Sequence, residues 1–367
     1  MAKVNRTPIV TEDDLGDLLG DVTSNINKKF KDNPNLQVTM GNDEEYGKSV
    51  PYWVRTYIPQ LDYAVGGINH PGFPGARITE IFGGEGSGKS TMAVWLAKCC
   101  IEQLNTFVLY QDAENVLTNE IVKGTGLNMK RVVLQNPETI EEVFQTQEAT
   151  LDVLSKKTEK RPVATVVDSV AACPTQAEVD ADYGDATMAT QARALSTAMK
   201  KIKTSILDNQ VLSIFVNQIR DKMNVSWGKP TTTPGGRALP FYASVRIELT
   251  RTGFNEKNGK KVGGTYKAAV IKNKVAPPMR TAEFDIEFIE EDGFSYPRIN
   301  IWKALIDWCK DNELLEGSQG RVVLGGKSMY IKEACEKLRN DDDLFNEIVD
   351  LAYSVSLSTE EDGESED

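Results

Sequence analysis

The chain has 367 residues, of which 40% are hydrophobic and 26% charged, so it can bury a sizeable core in two or three domains. One histidine, His70, and five cysteines with no C-x-x-C exclude most Cys/His zinc layouts and any histidine-based catalytic triad. A net charge of −12 excludes a molecule that is basic all over, so a nucleic-acid site would have to be a local surface.

No run approaches the roughly 18 apolar residues that cross a bilayer, and Met1 to Pro8 has no apolar region of the kind that marks a signal peptide. The expectation is a cytoplasmic protein with buried, reduced thiols.

Residues 11–30 read as an amphipathic helix. Leu15, Leu18, Leu19, Val22, Ile26 and Phe30 repeat every three or four positions behind a Thr11 N-cap. A lone helix cannot bury its own stripe, so this one packs on its own core or on another subunit. A polar linker follows, to Ser49. Pro and Gly punctuation then leads to Arg77–Phe82, which reads as a strand.

Gly83-Gly84-Glu85-Gly86-Ser87-Gly88-Lys89-Ser90 fits G-x-x-x-x-G-K-[ST], with a strand before it and an apolar helix, Thr91 to Leu104, after it. In that context the glycines curl the backbone so that several N–H groups face one concavity, and the helix start adds its own donors. Lys89 would bring charge to the β- and γ-phosphates, and the Ser90 hydroxyl would ligate Mg²⁺.

Three more short apolar runs, Thr106–Tyr110, Pro162–Val167 and Val211–Val216, alternate with helical stretches. They predict an α/β core, a mostly parallel sheet with helices on both faces. Ser244–Thr250 and Tyr266–Ile271, separated by a turn-like Asn255–Gly264, predict an antiparallel extension. Polar residues collect at the strand ends, where ligands of such sheets bind. Asp168 reads as a Mg²⁺-holding aspartate or a simple cap. Glu114, taken to lie on a strand neighbouring the phosphate loop, reads equally as the base that activates water or as an acid favoured by a helix dipole.

Gln218 could sense a γ-phosphate by hydrogen bonding. The long segment after it, Ile219–Pro240, holds Arg220, Lys222, Lys229 and Arg237 together with Met223 and Trp227. Such a mixture suits a phosphate backbone and its bases, or a plain surface loop. Gln176–Lys203 is a second candidate. Arg193 and Lys200 lie two turns apart on one helix face, which is equally the pattern of a solvated face. Residues 294–355 read as a small α-rich unit with a Gly-rich hairpin at Arg321–Tyr330. The last twelve residues hold six acids and no base, so the tail should not pack.

The ordered set of motifs resembles the bacterial RecA recombinases and their phage-encoded relatives. It comprises Gly83 to Thr91, Asp112-Ala113-Glu114, Val166 to Ala172, Gly184-Asp185 with Met188 to Arg193, Val216 to Arg220, Thr232-Thr233 with Gly235-Gly236, Phe241 to Arg246, and Lys272-Asn273-Lys274. The resemblance covers about residues 57–287. It implies a RecA-like ATPase core over 56–290, a subunit-packing arm over 1–55, a small C-terminal domain over 291–355, and an acidic tail over 356–367.

The resemblance also implies a filament on single-stranded DNA that uses ATP and Mg²⁺ and pairs with homologous double-stranded DNA in recombination and repair. By it Glu114 is the catalytic glutamate, and Gln218 couples the γ-phosphate to a DNA loop. Lys272 and Lys274 reach ATP on the neighbouring subunit, and Phe241 lies at the subunit interface. Met188, Arg193, Lys200, Arg220, Lys222, Met223, Trp227, Gly235, Gly236 and Arg237 fall in the DNA-binding segments, with Met223 as a wedge between bases. Ile121 stands where an adenine-stacking tyrosine is usual, which leaves Phe288 as a stacking candidate. Pro240 replaces a lysine near the interface nucleotide. The acidic tail is expected to compete with DNA for the basic loops, and its deletion to strengthen duplex binding.

Overall fold

The apolar runs form the parallel sheet that their β-branched content predicts. The computed structural model describes residues 12–29, 31, 50–182, 190–221, 231–291 and 293–355. They fall into two compact units divided after Pro51. The first contributes helix α1 (Glu12–Lys29), on which Leu19 and Val22 are exposed. Thr11, Phe30 and the linker 32–49 lie outside the described residues, as does the tail 356–367.

The second unit is built on a nine-stranded sheet. Its strands are β1 (Ile78–Gly83), β2 (Val108–Asp112), β3 (Val132–Gln135), β4 (Val163–Asp168), β5 (Val211–Gln218), β6 (Val245–Lys257), β7 (Lys260–Asn273), β8 (Thr281–Glu291) and β9 (Phe294–Ile299). Their spatial order is β9-β8-β7-β6-β1-β5-β4-β2-β3. The first six are mutually parallel, and β7 to β9 add on antiparallel.

Both faces of the parallel part are buried, with period two. On β4, Ala164 and Val166 join the core that contains helix α3 (Lys89–Leu104), after α2 (Pro59–Gly66) and before α4 (Asn119–Thr125). Val163 and Val167 join a second core on the other face, with helices α5 (Ile140–Ser155) and α6 (Thr190–Asp208). Thr139 caps α5 by accepting from the Glu142 N–H, and Val143, Phe144 and Leu151 meet Leu195, Met199, Ile202 and Ile206 of α6.

The sequence reading differs from the fold in three places. The short edge strand β3 exposes Val133 and Leu134, so its apolar pattern carries no burial signal. Asn255–Gly264 is not a broad turn: β6 and β7 run on to a two-residue turn at Asn258-Gly259, both at positive φ. Asn-Gly is the pair that such a hairpin turn demands. Residues 294–299 are the outer strand of the large sheet, and Ile299 ends that strand; helix α8 (Ile301–Asp311) starts behind an Asn300 cap. Before it, the chain passes through the short helix α7 (Ala238–Tyr242).

The segment after β9 has its own apolar core. Leu305, Ile306 and Cys309 of α8 pack with Leu338 of α9 (Ile331–Asn340) and Ile348 of α10 (Asp342–Ala352). Arg321–Leu324 and Lys327–Tyr330 pair as a hairpin about Gly325-Gly326.

Asp62 of α2 ties this segment to the core of the large sheet. It is fully buried, accepts from the Thr56 N–H at 2.9 Å and the Thr56 hydroxyl at 2.8 Å, and accepts a short bond from the Tyr353 hydroxyl. Burial pushes its carboxyl up to about 7 against the pull of those donors. The folded chain therefore binds more protons than the unfolded one between the ordinary carboxylate range and pH 7. The stabilising contribution of protonated Asp62 is complete below that range and is lost as pH rises through 7. Asp62→Asn should remove roughly 2 kcal/mol of wild-type stability loss between pH 5 and pH 8. Urea unfolding at the two pH values checks this, and identical pH slopes for the two proteins would contradict it.

Candidate nucleotide site and nucleic-acid interface

The phosphate loop starts where β1 ends, between β5 and β6. Gly83 has no room for a side chain: a Cβ there would stand 2.2 Å from the Leu249 carbonyl oxygen and 2.6 Å from Ser87 Oγ. Gly86 and Gly88 take φ of 63° and 83°, in the left-handed region that glycine enters freely. Gly88 is the cap of α3, so the start of a 16-residue helix follows the loop directly. Inside the loop, Ser87 Oγ donates to the Gly84 carbonyl at 2.8 Å, and Lys89 Nζ donates to the same oxygen at 2.7 Å. Burial pulls the Lys89 amine down, and Asp168, Glu114 and Glu85 pull it up. Ser90 and Thr91 open α3, with Thr91 buried.

Asp168 ends β4 and is fully buried. Its Oδ2 accepts from the Tyr110 hydroxyl at 3.0 Å, whereas its Oδ1 has no hydrogen-bond partner. Burial pushes this carboxyl up to about 6, opposed by the neighbouring Ser90 and Tyr110 hydroxyls. A buried carboxylate oxygen without a donor, beside a serine hydroxyl, fits a hydrated Mg²⁺.

The expectation that Glu114 lies on a strand next to the phosphate loop is corrected. β5 and β4 stand between β1 and β2. Glu114 still reaches the site because its segment turns back across the end of β4, where Ala113 N–H donates to the Asp168 carbonyl at 2.8 Å. Glu114 Oε1 accepts from Gln218 Nε2 at 2.9 Å and takes a short bond from the Ser169 hydroxyl. Lys89, Ser90, Asp168, Glu114 and Gln218 thus gather at the carboxyl ends of β1, β4, β2 and β5.

Gln218 is the last residue of β5, and Arg220-Asp221 follows after Ile219. These two pair antiparallel with Thr231-Thr232, closing the long segment as a ribbon at its base. Met188, Lys222, Met223 and Trp227 lie outside the described residues, and of Arg220 only the backbone is described. Past the ribbon, Gly235 is buried and Gly236 exposed. A Cβ on Gly235 would approach Leu195 to 2.6 Å, and one on Gly236 would approach the Ala192 Cβ to 2.9 Å. Both glycines therefore hold the segment tightly on α6. Arg193 and Lys200 are on the exposed face of α6, and Arg237 is exposed at the start of α7.

Lys272 and Lys274 are elsewhere. Lys272 pairs with Arg246, which pairs with Glu80 near the start of β1, while Gly83 is level with Leu249. The lysine is thus set back by three strand residues, roughly 10 Å, and the loop leads still further away. Its Nζ donates to the Pro240 and Phe241 carbonyls at 2.6 and 2.9 Å. Burial, Lys274 and Arg246 together pull its amine down to about 8. Phe241 is 69% exposed, and Lys274 lines a hollow with Phe241, Tyr242 and Arg77 at this amino end of the sheet. Ile121 is turned into the main core, and Phe288 is half-buried on β8.

The match to known proteins covers the same ground. The family model described as the RecA N-terminal domain matches residues 19–294. Protein RecA of Tropheryma whipplei is 33% identical over 334 residues, covering 86% of this chain and 72% of that protein. Protein RecA of Lactobacillus johnsonii is 32% identical over 307 residues, covering 80% of this chain and 79% of the relative. Protein RecA of Bacillus subtilis is 41% identical over a shorter 224 residues, 60% of this chain and 61% of that protein. The chain belongs to the RecA family.

Three RecA-site residues were not singled out from sequence. Ser169 touches Glu114, Tyr110 holds Asp168, and Arg251 Nη1 donates to the Gly86 carbonyl at 3.3 Å. Only Ser169 had a sequence cue, its place beside Asp168. Tyr110 is one of several apolar strand residues, and Arg251 comes from a strand 165 positions away from the glycine it meets.

The loop geometry separates adjacent glycines. Gly83→Ala should lower stability by about 2 kcal/mol or more, since the clash is with backbone. A Cβ on Gly84 meets nothing within 4 Å, so Gly84→Ala should leave stability within about 0.5 kcal/mol of wild type. Thermal unfolding of the two variants compares them directly, and equal losses would contradict the packing assigned to Gly83.

Proposed function

We infer that this chain is a DNA-dependent ATPase of recombination and repair. It assembles with Mg-ATP as a helical filament on single-stranded DNA, pairs that strand with homologous duplex, and releases the product on hydrolysis. The observation that carries this reading is the division of the site between the two ends of the sheet. Lys89, Ser90, Asp168, Glu114 and Gln218 gather at the carboxyl end, and Lys272, Lys274 and the exposed Phe241 lie at the amino end. Lysines at the amino end can meet a nucleotide only on the next copy of the chain. A head-to-tail contact of that kind repeats into a helix wherever its rotation does not close into a ring.

Backbone N–H groups of 84–90 and the Lys89 ammonium would hold the ATP phosphates, with Ser90 and Asp168 holding Mg²⁺. When bound, Mg²⁺ neutralises charge on the β- and γ-phosphates. Glu114 would orient a water and take its proton. Gln218 hydrogen-bonds Glu114 and lies one residue before the Arg220 ribbon, so a change at the γ-phosphate would be felt at the DNA-facing segment. Lys272 supports the same reading. Its amine is held down in the single chain by burial first and then by Lys274 and Arg246, a concentration of positive charge that a neighbour's phosphates would relieve. Arg193, Lys200, Arg220, Lys222 and Arg237 would grip the DNA backbone, and Met223 and Trp227 would wedge or stack on bases.

The test is ATP hydrolysis with and without single-stranded DNA, in wild type and in Lys272→Ala. The expected result is stimulation of tenfold or more by DNA in wild type, lost in the variant. Hydrolysis indifferent to both DNA and Lys272 would make the core a stand-alone ATPase.

A further inference from the structure

Asn217 is fully buried on β5, one residue before Gln218. Phe215, two residues earlier, faces the core of α5 and α6, so the Asn217 side chain lies on that face too. Its amide is used on both its nitrogen and its oxygen. Oδ1 accepts from the Gln218 N–H at 3.0 Å. Nδ2 donates to Glu80 Oε1 at 3.1 Å and to the Pro234 carbonyl at 3.3 Å. Gln218 stands just before the ribbon of Arg220-Asp221 and Thr231-Thr232, and Pro234 stands just after it. One side chain therefore ties together the main chain on the two sides of the ribbon. Main-chain pairing cannot do this, because Pro234 has no N–H with which to extend the ladder.

Glu80 decides which way that amide points. It is fully buried in β1, and its second oxygen takes a short bond from Arg246 Nε. Arg246 is its cross-strand partner on β6 and lies over the Phe82 ring, 4.7 Å from the centroid. A carboxylate only accepts, as does the Pro234 carbonyl, whereas the Gln218 N–H only donates. Together these partners permit one orientation of the Asn217 amide and exclude the flipped one. The polar row continues from Arg246 to Lys272, its partner on β7, which donates to the Pro240 and Phe241 carbonyls. Pro234 at one end of this stretch and Phe241 at the other are thus held by a single row of side chains that crosses β5, β1, β6 and β7.

We propose that Asn217 is a positioning residue for the DNA-stimulated reaction, with Glu80 as the carboxylate that orients it. Asn217 fixes Gln218, whose side chain donates to Glu114, relative to Pro234 at the exit of the DNA-facing segment. A displacement at Pro234 then reaches Gln218 through two hydrogen bonds of one side chain, without passing through solvent. This role rests on the reading of residues 219–240 as DNA-facing. A buried asparagine that is merely satisfied would contribute stability and no coupling.

Two substitutions separate coupling from stability. Asn217→Asp keeps an acceptor for the Gln218 N–H, loses both donors, and sets a second carboxylate against Glu80. Adding Glu80→Gln pairs the buried groups again: the new amide N–H donates to the carboxylate at 217, and its oxygen accepts from Arg246. Only the Pro234 carbonyl stays without its donor. The double variant should therefore recover at least about half of the Tm lost in Asn217→Asp. Its hydrolysis without DNA should stay within about twofold of wild type, since Lys89, Ser90, Asp168 and Glu114 are untouched. Its stimulation by single-stranded DNA should stay below about twofold, against tenfold or more in wild type. Stimulation that returns along with stability, or full stimulation in Asn217→Asp, would overturn this role alone. A wild type indifferent to DNA would overturn the DNA-facing reading and this role together. A measurement on wild type covers the case in which a variant does not fold. Without nucleotide, a saturating single-stranded oligonucleotide should slow hydrogen exchange of the Gln218 N–H at least about tenfold, and exchange that ignores the oligonucleotide would contradict the proposal.

Discussion

β1 is hydrogen-bonded to β5 on one edge and β6 on the other, and all six of its residues are buried. That confinement sets the rest. A strand held on both edges and both faces cannot shift, so Gly83 is pressed against the Leu249 carbonyl and the loop must leave the sheet at that point. The loop then opens into α3, whose start provides the orphan N–H groups. Because β1, β4, β2 and β5 run parallel, their polar carboxyl ends arrive together, and residues as far apart in sequence as Lys89 and Gln218 share one site.

The same parallel arrangement leaves the amino ends of the strands with other work. Phe241, Lys272 and Lys274 gather there. A sheet with a nucleotide-type site at one end and a cationic, aromatic surface at the other is polar along its strand axis. Copies stacked along that axis bring unlike ends together. Closed rings and open helices both satisfy this, and the strand-end chemistry is common to both.

Much of the site was legible in sequence because its parts are local. The phosphate loop, Asp168 after two valines, and Gln218 after an apolar run each carry their own context. What was not legible depends on register or on return of the chain. Nothing near Glu114 shows that β4 and β5 separate it from β1, or that the main chain turns back over Asp168. The antiparallel strands β8 and β9 are a different case. β9 contains Pro297, which argues against a strand, whereas β8 alternates Ala282, Phe284 and Ile286 with charged residues, which is itself the pattern of a half-buried strand. Asn258-Gly259 is legible, since that pair alone specifies a tight hairpin.

The proposed division of one active site between two copies is tested most directly by mixing two variants expected to be inactive, Glu114→Gln and Lys272→Ala, with single-stranded DNA. In a mixed assembly some junctions pair an intact Glu114 with an intact neighbouring Lys272. The account expects hydrolysis to recover to roughly a quarter of the wild-type rate in an equal, random mixture. If both residues serve the nucleotide of their own chain, no junction is repaired and the mixture stays as inactive as its components.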